Sequence, residues 1–288
     1  MLQGDSMMEL IAFAGQQSIG QIVLKDQADQ DGVTVEALSE RMGQALSVMR
    51  QSVEEGLNPA LRSVSGMSGG QAAKLLSGVQ AGQTMGGLSM GLAAAYAMAA
   101  AECNACMGKI VAAPTAGSCG IVPGALLMAQ RQKGYGDGQL IEALFTAAGV
   151  GRVIATRASV AGAEGGCQAE CGSAAAMAAA ALVELGGGSP RMAGHAVGFA
   201  LMNVMGLVCD PVGGLVEYPC QNRNAAGVAN ALIAAEIALS GIGQLIPFDE
   251  MLNAMYRVGR NIPAELRETA LGGCAATPSA CERCGRCG

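Results

Sequence analysis

Apolar residues recur three and four positions apart along most of the chain, and glycine, proline or short polar runs cut the pattern into segments. Residues 5–28 predict a first helix, with Met8, Ile11 and Ile19 apolar, closed by a turn at Asp29-Gln30-Asp31-Gly32. Thr34 is placed to cap a second helix carrying Leu38, Met42, Leu46, Met49 and Val53 on one face. The opposite face holds Glu36, Glu40, Arg41, Arg50 and Glu54, which makes this an amphipathic surface helix ending at Gly56 and Asn58-Pro59. Residues 71–83 and 84–102 predict two more helices, the second apolar almost all round and therefore surrounded by others. Further helices follow after Pro123 and over 137–151, the latter with Leu140, Ile141, Leu144, Phe145 and Ala148, before a mixed stretch at 152–164. Gly172–Leu185 is nearly all alanine with no polar face, so it is expected at the centre of the fold. Gly186-Gly187-Gly188-Ser189-Pro190 breaks the chain, an apolar helix runs to about 206, and another runs from beyond Asn224 to about 240. Pro247 and Pro263 each start a shorter helix, to about 259 and 269. The expected fold class is all-α: helices packed around a central Ala-rich helix, with chemistry on loops at helix ends.

Composition supports this. The chain is 51% hydrophobic but only 3% aromatic, with 43 Gly, 17 Met and no Trp, so its apolar mass lies in small or flexible helix formers rather than sheet formers. A net charge of −6 and no basic block make nucleic acid an unexpected partner. The longest weakly polar run, 85–101, is mainly Ala and Gly, and polar residues interrupt the others, so buried core helices are expected rather than a membrane span. The N-terminus carries no secretion pattern, which points to the cytoplasm. There, eleven cysteines, an odd number with C-x2-C spacings, favour metal over a disulfide framework.

The richest stretch is 167–223. Cys209 and Cys220 flank a Pro/Gly-broken loop that can curl two thiolates round a soft metal centre, and Cys167 follows Gly165-Gly166 where a helix begins. A helix N-terminus favours a thiolate. Three thiolates without a fourth nearby leave one coordination position open, as a Lewis-acid site requires. Pro114-Thr115-Ala116-Gly117-Ser118-Cys119-Gly120 is either an ordinary turn or an amide-lined loop for a carboxylate, with Lys109 just upstream. Arg223 is either a solvated cap or a carboxylate clamp. Residues 63–70, SVSGMSGG, read as a linker or as a substrate-facing loop. Cys103 and Cys106 form a C-x2-C with no second pair, a pattern packed cysteines also give. His195, the only histidine, reads as structural or capping. Residues 273–288 form a Cys-rich tail after a helical domain at 1–272; its C-x2-C-x2-C is either a mobile end or a segment that folds back, with Cys287 as a possible sulfur donor.

The segments ECNACMGKIVAAPTAGSCGIVPG, EGGCQAECGSAAAMAAAALVE, GLVCDPVGGLVEYPCQNRNA and GGCAATP resemble the α chain of iron–sulfur L-serine dehydratases, from about residue 4 to 278. The resemblance implies an all-helical domain around a [4Fe–4S] cluster held by Cys167, Cys209 and Cys220, with Cys171 outside the ligand set. It also implies a substrate loop at Thr115, Ala116 and Gly117, with Lys109, Asn222 and Arg223 contributing. The family writes Thr-Asn-Gly at the loop in some members, so a side-chain amide is absent at Ala116. The reaction implied is dehydration of L-serine to pyruvate and ammonia. The Ser-Ser-Ser-His-Thr motif of complete enzymes is absent, so the resemblance implies a β chain that supplies the base. Alternatives are a related lyase acting on cysteine or threonine, or an iron–sulfur redox or sensor subunit.

Overall fold

The computed structural model describes residues 6–284 and contains, among them, thirteen α-helices joined by short 3-10 and π turns, with no strand. The helices are α1 (Met7–Ala14), α2 (Ile19–Asp31), α3 (Val35–Gly56), α4 (Gln71–Gln80), α5 (Gly87–Ala105), α6 (Ile121–Lys133) and α7 (Asp137–Arg157). They continue with α8 (Gly162–Gly165), α9 (Ser173–Leu185), α10 (Pro190–Asn203), α11 (Cys220–Leu239), α12 (Phe248–Asn261) and α13 (Pro278–Cys284).

The alanine helix is central, as expected. Residues 173–183 of α9 are all buried, and α6, α7, α10 and α11 pack around it. Alanine side chains let neighbouring backbones come close, and of the helices on α9, α10 also packs on α11 and α11 on α6. A larger side chain in this row costs about 1–3 kcal/mol in strain. α5 lies in a second layer against α3, α4, α6 and α11. A Cβ on Gly120 would run into the Ala97 carbonyl of α5, so glycine there lets the 114–120 loop sit directly on that helix.

Several ends are fixed by local chemistry. Thr34 Oγ1 accepts from Ala37 N (3.2 Å) and starts α3, and Ser189 Oγ accepts from Met192 N (3.3 Å) with Pro190 opening α10. The single helix expected over 5–28 is two. Gly15 ends α1 at a positive φ of 56°, and Ser18 Oγ accepts from Gln21 N (3.0 Å) to start α2. α6 begins at Ile121, ahead of Pro123, because proline in a first turn has no hydrogen bond to lose. α7 runs on to Arg157 because Val153 and Ile154 continue its buried face. The helix expected from Pro263 is only a 3-10 turn, Ala264–Leu266, since that segment pairs instead with Cys209: Cys209 N donates to Leu266 O (2.8 Å) and Glu268 N to Cys209 O (2.6 Å).

Among the described residues α7 is the one helix long and apolar enough to cross a membrane by length and composition, whereas the 85–101 run is not; α7 packs against α2 and α9 with most of its apolar residues buried. The tail residues up to 284 are folded: a 3-10 turn (Gly273–Ala276) and α13 pack on the Val212–Gly214 turn. Cys287 lies outside the described residues.

Candidate active site

Three separated segments meet at one end of α9. Gly166, with φ 76°, turns the chain out of α8; a Cβ there would stand 2.7 Å from Leu207 O and from Ile262 Cδ1. Cys167 follows, and a π turn (Gln168–Gly172) leads into α9. π turns inside helices are often found at functional sites. Cys220 is the first residue of α11, and Cys209 begins the loop that leads to it. Cys167, Cys209 and Cys220 are all buried and lie within electrostatic reach of one another.

The π turn also corrects the expectation that no fourth thiol is near. It stacks Cys171 under Cys167, with the two sulfurs 3.3 Å apart and sharing a hydrogen bond. That hydrogen bond holds the Cys167 thiol below its ordinary value against the opposing effect of burial, and pushes Cys171 well above its own. Cys171 is therefore suited to support the Cys167 sulfur rather than to ionise beside it. Burial, helped by the nearby Glu170 charge, also raises Cys209, and burial raises Cys220 to about 12.

A cation faces this group. Arg223, on the first turn of α11, lies within reach of Cys167 and Cys220; its Nη2 donates to Asp210 Oδ1 (2.6 Å) and its Nη1 to Val208 O (2.9 Å). Asp210 also accepts from Cys274 N at Oδ2 (2.6 Å), so it ties Arg223 to the GGCAATP segment. Burial pushes the Asp210 carboxyl up, but Cys274 N–H and Arg223 outweigh it and hold the group below the usual carboxylate range. Arg223 is thus an ion-paired residue at the thiols rather than a solvated cap.

The 114–120 loop lies alongside. Asn224, fully buried, donates to Gly117 O (2.7 Å) and Cys220 O (2.9 Å) and accepts from Gly120 N (2.9 Å), binding the loop to the start of α11. Thr115 Oγ1 donates to Glu170 Oε1 (2.6 Å), so the 3.1 Å contact with Ser118 Oγ has Ser118 as donor. The backbone N–H groups of Thr115, Ala116, Gly117 and Ser118 have no acceptor among the described residues. Glu170, on the π turn, spans loop and thiols, with Cys209 Sγ 3.9 Å from its Oε2. Burial raises its carboxyl pKa, the Thr115 hydrogen bond opposing. Cβ atoms at Gly117 and Gly162 would lie 2.9 and 2.8 Å from Glu170 oxygens, so both glycines make room for it.

The SVSGMSGG loop is anchored rather than a free linker. Ser65 and Ser68 donate to the buried Glu217 carboxylate at 2.8–2.9 Å, and Gln221 Nε2 donates to Ser68 Oγ (2.8 Å). Between this loop, the Cys209–Cys220 loop and α13 is a cavity of about 410 Å³ lined by Met67, Gln71, Val212, Tyr218, Cys274 and Arg283. It adjoins the thiols through Cys274 but is not lined by them.

Other candidate residues are placed apart. Lys109 and Asn222 are exposed, and Asn224 rather than Asn222 holds the loop. Cys103, on α5, contacts Glu55 Oε2 (3.5 Å) and Lys109 O (3.9 Å), and Cys119 contacts Ala100 O (3.7 Å). His195 accepts from Gln244 N (3.2 Å) beside a separate cavity. Sequence reasoning missed Glu170, Asp210 and Asn224. Glu170 alone carried a signal, as a charged residue inside a glycine- and cysteine-marked helix start.

Among the described residues no three His, Cys, Asp or Glu side chains converge tightly enough to share a single metal ion. Ligands on different irons of a four-iron cluster stand further apart than ligands of one ion. The donor set fits such a cluster: three buried sulfurs from three segments, a shared-hydrogen-bond partner for one of them, and a cation beside two.

The profile described as serine dehydratase alpha chain matches residues 14–275. A probable L-serine dehydratase, alpha chain, of Bacillus subtilis (strain 168) is 46% identical over 261 residues, covering 91% of this chain and 87% of that one. The L-serine dehydratase, alpha chain, of Peptoniphilus asaccharolyticus is 44% identical over 254 residues, covering 88% and 87%. The L-serine dehydratase of Helicobacter pylori (strain ATCC 700392 / 26695) is 40% identical over 185 residues, which are 63% of this chain but 41% of that protein. The chain belongs to the serine dehydratase alpha chain family.

Proposed function

We propose that this chain dehydrates L-serine to pyruvate and ammonia, with Cys167, Cys209 and Cys220 holding a [4Fe–4S] cluster. The observation that carries the reading is the meeting of three buried cysteines, Arg223 and an amide-lined loop at one end of α9, in a member of this family. When bound, a cluster with one open iron supplies a Lewis acid for the departing hydroxyl. The chain's residues supply the rest. The free amides of 115–118 receive the substrate carboxylate, and Asn224 holds them in place. Arg223 balances thiolate charge, and Asp210 keeps it aimed. Loss of the Cα proton and the β-hydroxyl leaves aminoacrylate, which tautomerises and takes up water to give pyruvate and ammonia.

The base for the Cα proton is assigned to a partner β chain, because His195 lies away from the site and the Bacillus subtilis and Peptoniphilus asaccharolyticus relatives are named alpha chains. Free buried thiols at Cys103, Cys119, Cys171 and the three ligand positions suit the reducing cytoplasm. Cys287 remains a candidate sulfur donor to the open iron. The test is anaerobic: the chain, with the partner that co-purifies with it, is loaded with iron and sulfide and assayed for the 2-oxo acid product, pyruvate from L-serine or L-cysteine and 2-oxobutyrate from L-threonine. Pyruvate from serine that disappears on air exposure supports the reading. Turnover of cysteine in preference to serine, or turnover by a Cys167, Cys209 and Cys220 triple alanine variant, contradicts it.

A further inference from the structure

Glu170 stands where neither a structural nor a metal-holding role uses all of it. The π turn projects it between the 114–120 loop and the thiols, where it receives one hydroxyl, from Thr115, at 2.6 Å, and a thiol contact at 3.9 Å. A carboxylate offers about four acceptor positions, so two remain, on a side chain that is only half-buried. Next to it are the backbone N–H groups of 115–118 with nothing to donate to, and the closeness is direct, because a Cβ on Gly117 would be 2.9 Å from Glu170 Oε1. Unsatisfied donors and spare acceptor oxygens therefore sit side by side on the same small patch. An α-amino acid carries the complementary pair, a carboxylate and an ammonium on one carbon.

We propose that the loop amides and Glu170 form a two-part clamp for an α-amino acid, the amides binding its carboxylate and Glu170 its ammonium, so that the amino group is a condition of binding. The inference rests on the dehydratase reading and adds the residue that would separate an amino acid from a hydroxy acid of the same shape. Gly117 and Gly162 belong to the clamp in a passive sense, since a side chain at either position would displace the Glu170 carboxylate. Thr115 belongs to it as the group that fixes which way Oε1 faces.

The experiment compares L-serine with 3-hydroxypropionate, which is serine without its amino group. Binding of each is measured by calorimetry on the cluster-loaded chain, in the complex in which it is isolated. The wild type is expected to prefer serine by about 10-fold or more, the scale of a hydrogen-bonded charge. Glu170→Gln is expected to lose most of that preference while binding of 3-hydroxypropionate changes little, and Glu170→Asp to keep part of it. A Glu170 that merely props up Thr115 would weaken both ligands alike, and that result overturns the clamp. The wild-type comparison needs no variant to fold: equal binding of the two compounds also overturns the clamp and leaves the dehydratase reading standing. A wild-type complex that neither binds nor turns over L-serine overturns both.

Discussion

Two groups of three cysteines lie in this protein; all of them but Cys106 are buried, so what surrounds them separates the groups better than burial does. Cys103 and Cys119 are as deeply buried as Cys167 and Cys209. Around the first group, which includes Cys106, stand a carboxylate at Glu55, a backbone carbonyl at Lys109 and one at Ala100, all of which oppose a thiolate. Burial pushes both Cys103 and Cys119 up to about 12, as it does Cys220, but among the described residues no nearby cation opposes the shift at Cys103 or Cys119, so these sulfurs are small packing atoms. The second group has Arg223 within reach, Cys171 sharing a hydrogen bond with Cys167, and glycines at 162 and 166 that give sulfur and backbone room. Cysteine count and C-x2-C spacing did not separate the groups; a cation and a hydrogen-bond partner do.

The sharpest way to break this contrast is substitution. Alanine at Cys167, Cys209 or Cys220 is expected to lower both iron content and serine turnover by about 100-fold or more, while alanine at Cys103, Cys106 or Cys119 leaves iron content unchanged. Iron analysis of the six variants prepared without oxygen decides it. Gly162→Ala probes the space rather than the sulfur. Its Cβ would lie 2.8 Å from both Cys209 Sγ and Glu170 Oε2, so turnover should fall about 10- to 100-fold with helix content retained. Asp210→Ala leaves Arg223 beside the thiols without its ion pair and frees Cys274 N. A loss of about 3 kcal/mol in urea unfolding is expected, and a change under 1 kcal/mol would show that Asp210 is not the tie described here.

The packing group makes a pH prediction. Between the ordinary thiol value and about 12, the unfolded chain has released protons that folded Cys103 and Cys119 still hold. The unfolded state then binds fewer protons than the native one, so stability falls as pH rises through that window and is fully present below it. Thermal unfolding of Cys119→Ala should decline less steeply with alkaline pH than the wild type; identical slopes would contradict the assignment. The smallest effect is expected at half-buried Cys106, where serine should change stability by less than about 1 kcal/mol.

The all-helical fold was legible because its signals are local: apolar spacing, Thr34 and Ser189 as caps, and an alanine run with nothing polar on it. The split between α1 and α2 was hidden because Gly15 and Ser18 interrupt a pattern whose apolar residues continue on both sides. The three cysteines stood out by their glycine and proline surroundings. Their supports did not, because each acts far along the chain: Asn224 on Gly117, Asp210 on Cys274, Glu170 on Thr115. Cys171 was set aside on sequence, and only the π turn, which has no sequence signature, brings its sulfur under Cys167.

The central claim is that the sulfurs of Cys167, Cys209 and Cys220 hold a cluster with one iron left for substrate. Mössbauer spectroscopy of the chain loaded anaerobically with iron-57 and sulfide, with and without L-serine, tests it directly. The account predicts a four-iron signal in which one site in four shifts when serine is added, and no such signal in the Cys209→Ala variant. Four sites that are alike and indifferent to serine, or an unchanged signal in that variant, would contradict it.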